Sequence, residues 1–138
     1  MRPPRTSIPV ASYNIVLADH ELEGFVYFDV GIAVAEAIKD SLSSSNLAPT
    51  ADAKVRKILT KHSQKTPEGH RYVALKNIGI LFEPQLQLNL ANIFTEQSKN
   101  QTLIIASPGK IVGKEFLFYN DSSYKINLST LTYNYIKQ

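Results

Sequence analysis

The sequence predicts an α/β fold of three layers, built on a mainly parallel sheet of about five strands with antiparallel strands at its edges. Two observations carry that prediction. Residues 71–108 (RYVALKNIGILFEPQLQLNLANIFTEQSKNQTLIIASP) read as apolar strand, amphipathic helix, apolar strand, with a short loop at each junction, the unit from which parallel sheets are made. Within that stretch TLIIA is apolar at nearly every position, as a strand buried on both faces must be.

The elements follow in order. Residues 1–12 (MRPPRTSIPVAS) form a flexible N-terminal arm, because Pro3, Pro4 and Pro9 remove donors and fix φ. Residues 13–138 make one α/β domain, since 138 residues fill a single core and are too few for two. Tyr13–Ala18 is a short strand, and Phe25–Val30 (FVYFDV) is a second, rich in aromatic and branched residues. The intervening HELEG cannot hold a crossover helix, so the two strands are hairpin partners or not neighbours at all. Gly31–Leu42 is helical, with Ile32, Ala35, Ile38 and Leu42 on its apolar face. SSSNLAPT is a loop, and Thr50 caps a helix over 51–65 that carries a thin stripe of Val55, Ile58 and Leu59. Pro67 and Gly69 mark a turn.

Tyr72–Leu75 is then a buried strand, Asn89 caps a helix over 90–97, and Thr102–Ala106 is the second buried strand. Ser107-Pro108-Gly109 ends it in a solvated turn, and Phe116–Tyr119 is a further strand. Tyr124, Ile126 and Leu128 alternate as an edge strand does. Either Tyr13–Ala18 or the Tyr-rich tail suits an exposed antiparallel edge, open to strand addition by a partner or by a second copy. Tyr124, Tyr133 and Tyr135 are the candidate interface residues, because Tyr is enriched where proteins meet.

Composition narrows the function classes. No apolar run approaches the roughly 20 residues a spanning helix needs, and the N-terminus lacks the apolar core of a secretory signal. Without cysteine there is no disulfide framework or thiolate metal site. A cytoplasmic protein without membrane contact is expected. A net charge of +3 is mildly basic. Lys54, Arg56, Lys57, Lys61, Lys65 and Arg71 cluster with His62 and His70 between them. Those cations suit weak contact with a DNA backbone, and a solvated helix face explains them more simply.

The motifs of nucleotide chemistry are missing. A phosphate loop needs backbone amides, a lysine and a Ser/Thr between the first strand and a helix, and ADHELEG supplies neither GxxxxGK[ST] nor room for one. Ser107-Pro108-Gly109-Lys110 with Gly113-Lys114 leads into a strand, so no helix N-terminus faces it. At the end of Tyr-Val-Ala-Leu, where a magnesium-holding acid belongs, stands Lys76; the nearest acid is Glu83. His20, His62 and His70 are scattered without metal-ligand spacing. No catalytic residue, cofactor or metal ligand is assigned, and the chain is expected not to be an enzyme. The competing reading is an NTPase with a non-standard site, built from Lys110 or Lys114 with Glu83.

On these residues the chain resembles the small P-loop NTPase subunit of type 3 bacteriophage-exclusion (BREX) defence systems. The resemblance rests on Leu81-Phe82-Glu83-Pro84-Gln85-Leu86, on Gln97-Ser98-Lys99-Asn100-Gln101-Thr102, on Ser107-Pro108-Gly109 and on the EFLFYN that follows. FVYFDVGIAVAEAI is similar to the strand and helix that come after the P-loop helix in that family. The family's Walker A loop and helix are missing between Ala18 and Phe25, and its Walker B acid falls on Lys76. The resemblance implies a degenerate P-loop fold without hydrolysis, in a prokaryotic antiviral assembly. Its partners would be other defence proteins, with self-association and weak DNA contact as further expectations.

Overall fold

A computed structural model describes residues 15–129 and 131–137. The expected N-terminal arm, with Tyr13 and Asn14, lies outside the described residues.

Nine strands and three α-helices follow one another along the described chain. They are β1 (Ile15–Ala18), β2 (Tyr27–Asp29), α1 (Val30–Ile38), α2 (Leu47–Lys61), β3 (Gln64–Lys65), β4 (Arg71–Lys76), α3 (Leu90–Ser98), β5 (Thr102–Ala106), β6 (Gly109–Val112), β7 (Glu115–Phe118), β8 (Lys125–Asn127) and β9 (Tyr133–Ile136). The main sheet runs β2-β4-β5-β1-β9 with every neighbour parallel, and β3 adds antiparallel to the start of β4. A separate antiparallel sheet runs β6-β7-β8.

The two faces of the main sheet are covered differently. Ile15, Leu17, Val73, Leu75, Leu103 and Ile105 point to the face on which all three helices pack, and Phe116, Phe118 and Ile126 of the small sheet complete that core. Val16, Tyr72, Ala74 and Ile104 alternate to the opposite face. There the described cover is a strap, residues 19–26, assisted by Tyr27 and Ile136. Phe25 meets the Tyr72 ring edge-on at 5.0 Å, and the Val26 N–H donates to the Tyr72 hydroxyl at 2.9 Å. Handedness explains the strap's route. The connections β2→β4 and β4→β5 advance one way across the sheet over the helical face. The step β1→β2 goes backward past β5 and β4, and keeps the same hand only by crossing on the other face.

Several expectations change. Ile15–Ala18 is not an edge strand but is flanked by β5 and β9, and it is fully buried. The hairpin alternative for the first two strands is excluded: they are parallel and two strands apart. Among the described residues the three-layer arrangement is reduced to sheet, one helical layer and the strap. The second strand stops at Asp29, because that side chain already caps α1 through the Ile32 N–H at 2.9 Å. Starting at Val30 turns Val30, Val34 and Ile38 inward, and leaves Ile32 63% and Leu42 59% exposed rather than on the core face. Helix α2 starts at Leu47, not after Thr50. Pro49 falls in its first turn, where a missing N–H costs nothing, and Thr50 N–H already bonds to Asn46 O. The solvated turn expected after Pro108 is strand β6, and the tail holds two strands, of which β9 is a parallel edge rather than an antiparallel one.

Candidate functional site

Chain leaves β1 toward β2 and leaves β5 toward β9, in opposite directions, so the crevice between their carboxyl ends is the switch point at which open α/β sheets hold ligands. In this molecule backbone hydrogen bonds bridge it. The Ser107 N–H donates to Ala18 O at 2.9 Å, and the Asp19 N–H donates to Ile136 O at 3.2 Å, so three strands stay laced beyond their ends. Ser107 is buried and its hydroxyl donates to Pro108 O at 3.0 Å. Asp19 Oδ1 lies 2.7 Å from His20 Nδ1, and the strap then departs as extended chain rather than as a helix. No helix N–H groups face the crevice from β1.

Polar side chains line the same edge of the sheet further out. Lys76, at the end of β4, sits 3.9 Å from Glu21 of the strap. Asn77 follows with φ +57 and donates its side-chain amide to Asp29 Oδ1 at 2.9 Å. Partial burial would raise the Asp29 pKa. The Ile32 N–H, the Asn77 amide and the Lys76 charge outweigh it and hold the carboxyl below the ordinary Asp value. Behind the strap, burial pushes the Tyr27 hydroxyl up to about 12, with Glu21 adding to the shift and the Leu22 N–H that it accepts at 2.9 Å opposing it. Burial and the charge of Asp19 likewise raise Tyr135. The edge is therefore a set of closed pairs: each acid or base is engaged in holding strap, strand end or helix start.

A groove of about 470 Å³ opens elsewhere, between Leu81–Ala91 and the free edge of β8, with Leu81, Phe82, Leu88 and Ile126 on its walls and Glu83 and Lys125 at its rim. Lys110 lies on the edge strand β6, whereas Lys114 lies in the β6–β7 turn, where its carbonyl accepts the Leu128 N–H at 2.7 Å; among the described residues neither lysine forms an ion pair with Glu83.

The candidate interface tyrosines have internal work. Tyr124 stacks on Phe82 at 5.2 Å, and Tyr135 meets Phe116 edge-on and donates its hydroxyl to Gly109 O at 3.2 Å. Tyr133 packs half-buried against the core. Of the basic cluster, Arg56 is tied to Asp52 at 2.7 Å and to Asn92 at 2.7 Å, while Lys54, Lys57, Lys61, Lys65 and Arg71 are exposed. His62 stacks on Phe28 at 4.2 Å. The Asp29–Asn77 pair was missed in the sequence, because residues so far apart meet only once β2 and β4 are known to be neighbours.

The fold and this edge define an α/β protein with a mostly parallel sheet. In comparisons with protein families, curated proteins and solved structures, no family model, no curated protein and no solved structure matches the chain. No helix among the described residues is long and apolar enough to cross a membrane.

Proposed function

We propose that this chain is a non-catalytic, P-loop-derived subunit of a prokaryotic antiviral assembly of the BREX kind, acting through protein–protein interaction. The observation that carries the reading is the route of residues 19–26. A phosphate loop requires a strand that turns into a helix N-terminus, and here the first strand turns into a strap that crosses the sheet to β2. Lys76, with its Glu21 partner, occupies the strand end where a magnesium-holding carboxylate would stand. The Leu81–Leu86, Gln97–Thr102 and Ser107–Gly109 phrases supply the resemblance to the family. Interaction is favoured by exposed apolar side chains on the β6 edge, Ile111 at 39% and Val112 at 49%, since such a strand invites pairing.

Calorimetric titration with magnesium and ATP separates this reading from an NTPase with a non-standard site. The expected result is no binding heat with ATP up to about millimolar, a ceiling corresponding to roughly −4 kcal/mol. Micromolar affinity would sink the proposal. Co-purification with the products of neighbouring genes, lost on I111E/V112E, is the matching positive result.

A further inference from the structure

Away from the solvent face of α2 and the β3–β4 ladder, most described lysines and arginines have an ion-pair partner, the exceptions being Lys110, Lys114 and Lys137. Lys39, Arg56, Lys76, Lys99 and Lys125 each lie 2.7–3.9 Å from a carboxylate. Lys54, Lys57, Lys61, Lys65 and Arg71 have no such partner among the described residues, and all five are exposed. Residues 53–67 contain no acid at all.

These five cations are also placed together. Lys54, Lys57 and Lys61 recur at helical spacing on the solvent side of α2, opposite the buried Ala51, Val55 and Leu59. Along the helix axis their positions are separated by roughly 4.5 and 6 Å. Where α2 ends, the chain turns into β3, and the β3–β4 ladder sets Lys65 directly opposite Arg71. Like charges facing each other across a ladder destabilise it, and here neither cation has an ion-pair partner, Glu68 in the connecting turn included. Arg71 Nε donates to Ser63 Oγ at 3.2 Å, which orients the guanidinium without neutralising it. A row of unneutralised cations, one pair of them held at a cost, is complementary to a polyanion.

We propose that the α2–β3 face binds the phosphate backbone of duplex DNA without reading its sequence. The face has no exposed Phe, Tyr or Trp on which unstacked bases could lie, and Phe28 beside it is covered by His62. That favours a duplex, whose bases stay stacked inside, over a single strand. The inference goes beyond the interaction role proposed above and is read by a different experiment from the nucleotide titration.

The test is fluorescence anisotropy of a labelled mixed-sequence duplex of about 20 base pairs with the full chain, at salt from about 50 to 200 mM. Five phosphate contacts predict a slope of log affinity on log salt of about −4.5. In K57E/K61E the slope should become shallower by about 2, and affinity at low salt should fall at least about tenfold. K54E alone should reduce the slope by about 1. K99E, which makes the same charge change at a paired surface lysine, should leave binding within about twofold; circular dichroism establishes that each variant is folded. Absence of duplex binding at about 50 mM salt would overturn the proposal. So would K99E proving as damaging as K57E/K61E, or tighter binding to a single strand or to heparin than to the duplex.

Discussion

Asp29, Gly31 and Asn77 set a tight constraint at the level of single residues. Asp29 ends β2 and caps α1 with no residue between, so the strand-to-helix turn has no slack. Gly31 lets the first turn of α1 lie against the residue after β4. A Cβ there would stand 2.5 Å from Asn77 Nδ2 and 2.7 Å from Asn77 O. The side-chain amide could swing away but the carbonyl belongs to a backbone already in the left-handed region, at φ +57. Gly31→Ala should therefore destabilise the protein by about 1–3 kcal/mol, although alanine is the better helix former. The check is urea denaturation: unchanged or increased stability would mean that the Asn77 turn yields.

At the scale of elements, the two inward stripes of α1 and α2 make the helical layer. Leu59 is completely buried beneath α2, whereas Leu42 beyond α1 is 59% exposed. Leu59→Ala should cost about 2–5 kcal/mol and Leu42→Ala less than about 0.5 kcal/mol, measured as midpoint shifts in the same denaturant series. Equal losses would mean that Leu42 is packed rather than exposed. The phase of α1 also shows where sequence reading succeeds. Strand β5 was legible to the residue, and so was the Asn89 cap of α3, whose side chain accepts the Asn92 N–H at 3.1 Å, because both signals are local. The face of α1 was not, because the choice between Val30 and Ile32 as first inward residue depends on a capping bond formed only at Asp29. Helix α2 began earlier than a Thr50 cap suggested, since Pro49 is tolerated in the first turn. Strand β6 was hidden because GKIV is short, and its partner, not its own pattern, makes it a strand.

For the whole molecule the unusual feature is a sheet covered by helices on one face and, among the described residues, by a strap on the other. The strap is held by two tyrosines: Tyr72 accepts the Val26 N–H and Tyr27 accepts the Leu22 N–H. Because Tyr27 titrates near 12 when folded and near 10 when unfolded, the folded state binds its proton more tightly. Its contribution is present in full below about pH 10 and is lost as pH rises through about 12. Tyr27→Phe lacks that dependence and loses about 1 kcal/mol near neutrality, where the Leu22 N–H has no acceptor. The gap in stability between the two proteins should close and then reverse sign between about pH 9 and pH 11.5, followed by urea midpoints and by absorbance of tyrosinate. A gap that stays constant would place Tyr27 outside the strap's support. The sheet topology was only partly legible, since a sequence shows which segments are extended but not which lie side by side. Tyr13–Ala18, one of two segments expected at an edge, proved an interior strand over Ile15–Ala18 for that reason.

The pairing of β1 with β9 has a further consequence during synthesis. Ile15 finds its partner Tyr133 almost a full chain later, while its other neighbour, Leu103, comes out of the ribosome well before. A growing chain can assemble β2, β4, β5 and the helices around β1, yet one side of that apolar strand stays unpaired until β9 is made. For that interval the nascent protein presents an open, aggregation-prone edge on a strand that the finished sheet holds inside, one strand from its margin. Its burden on chaperones is then set by the delay between translation of Leu103 and of Tyr133.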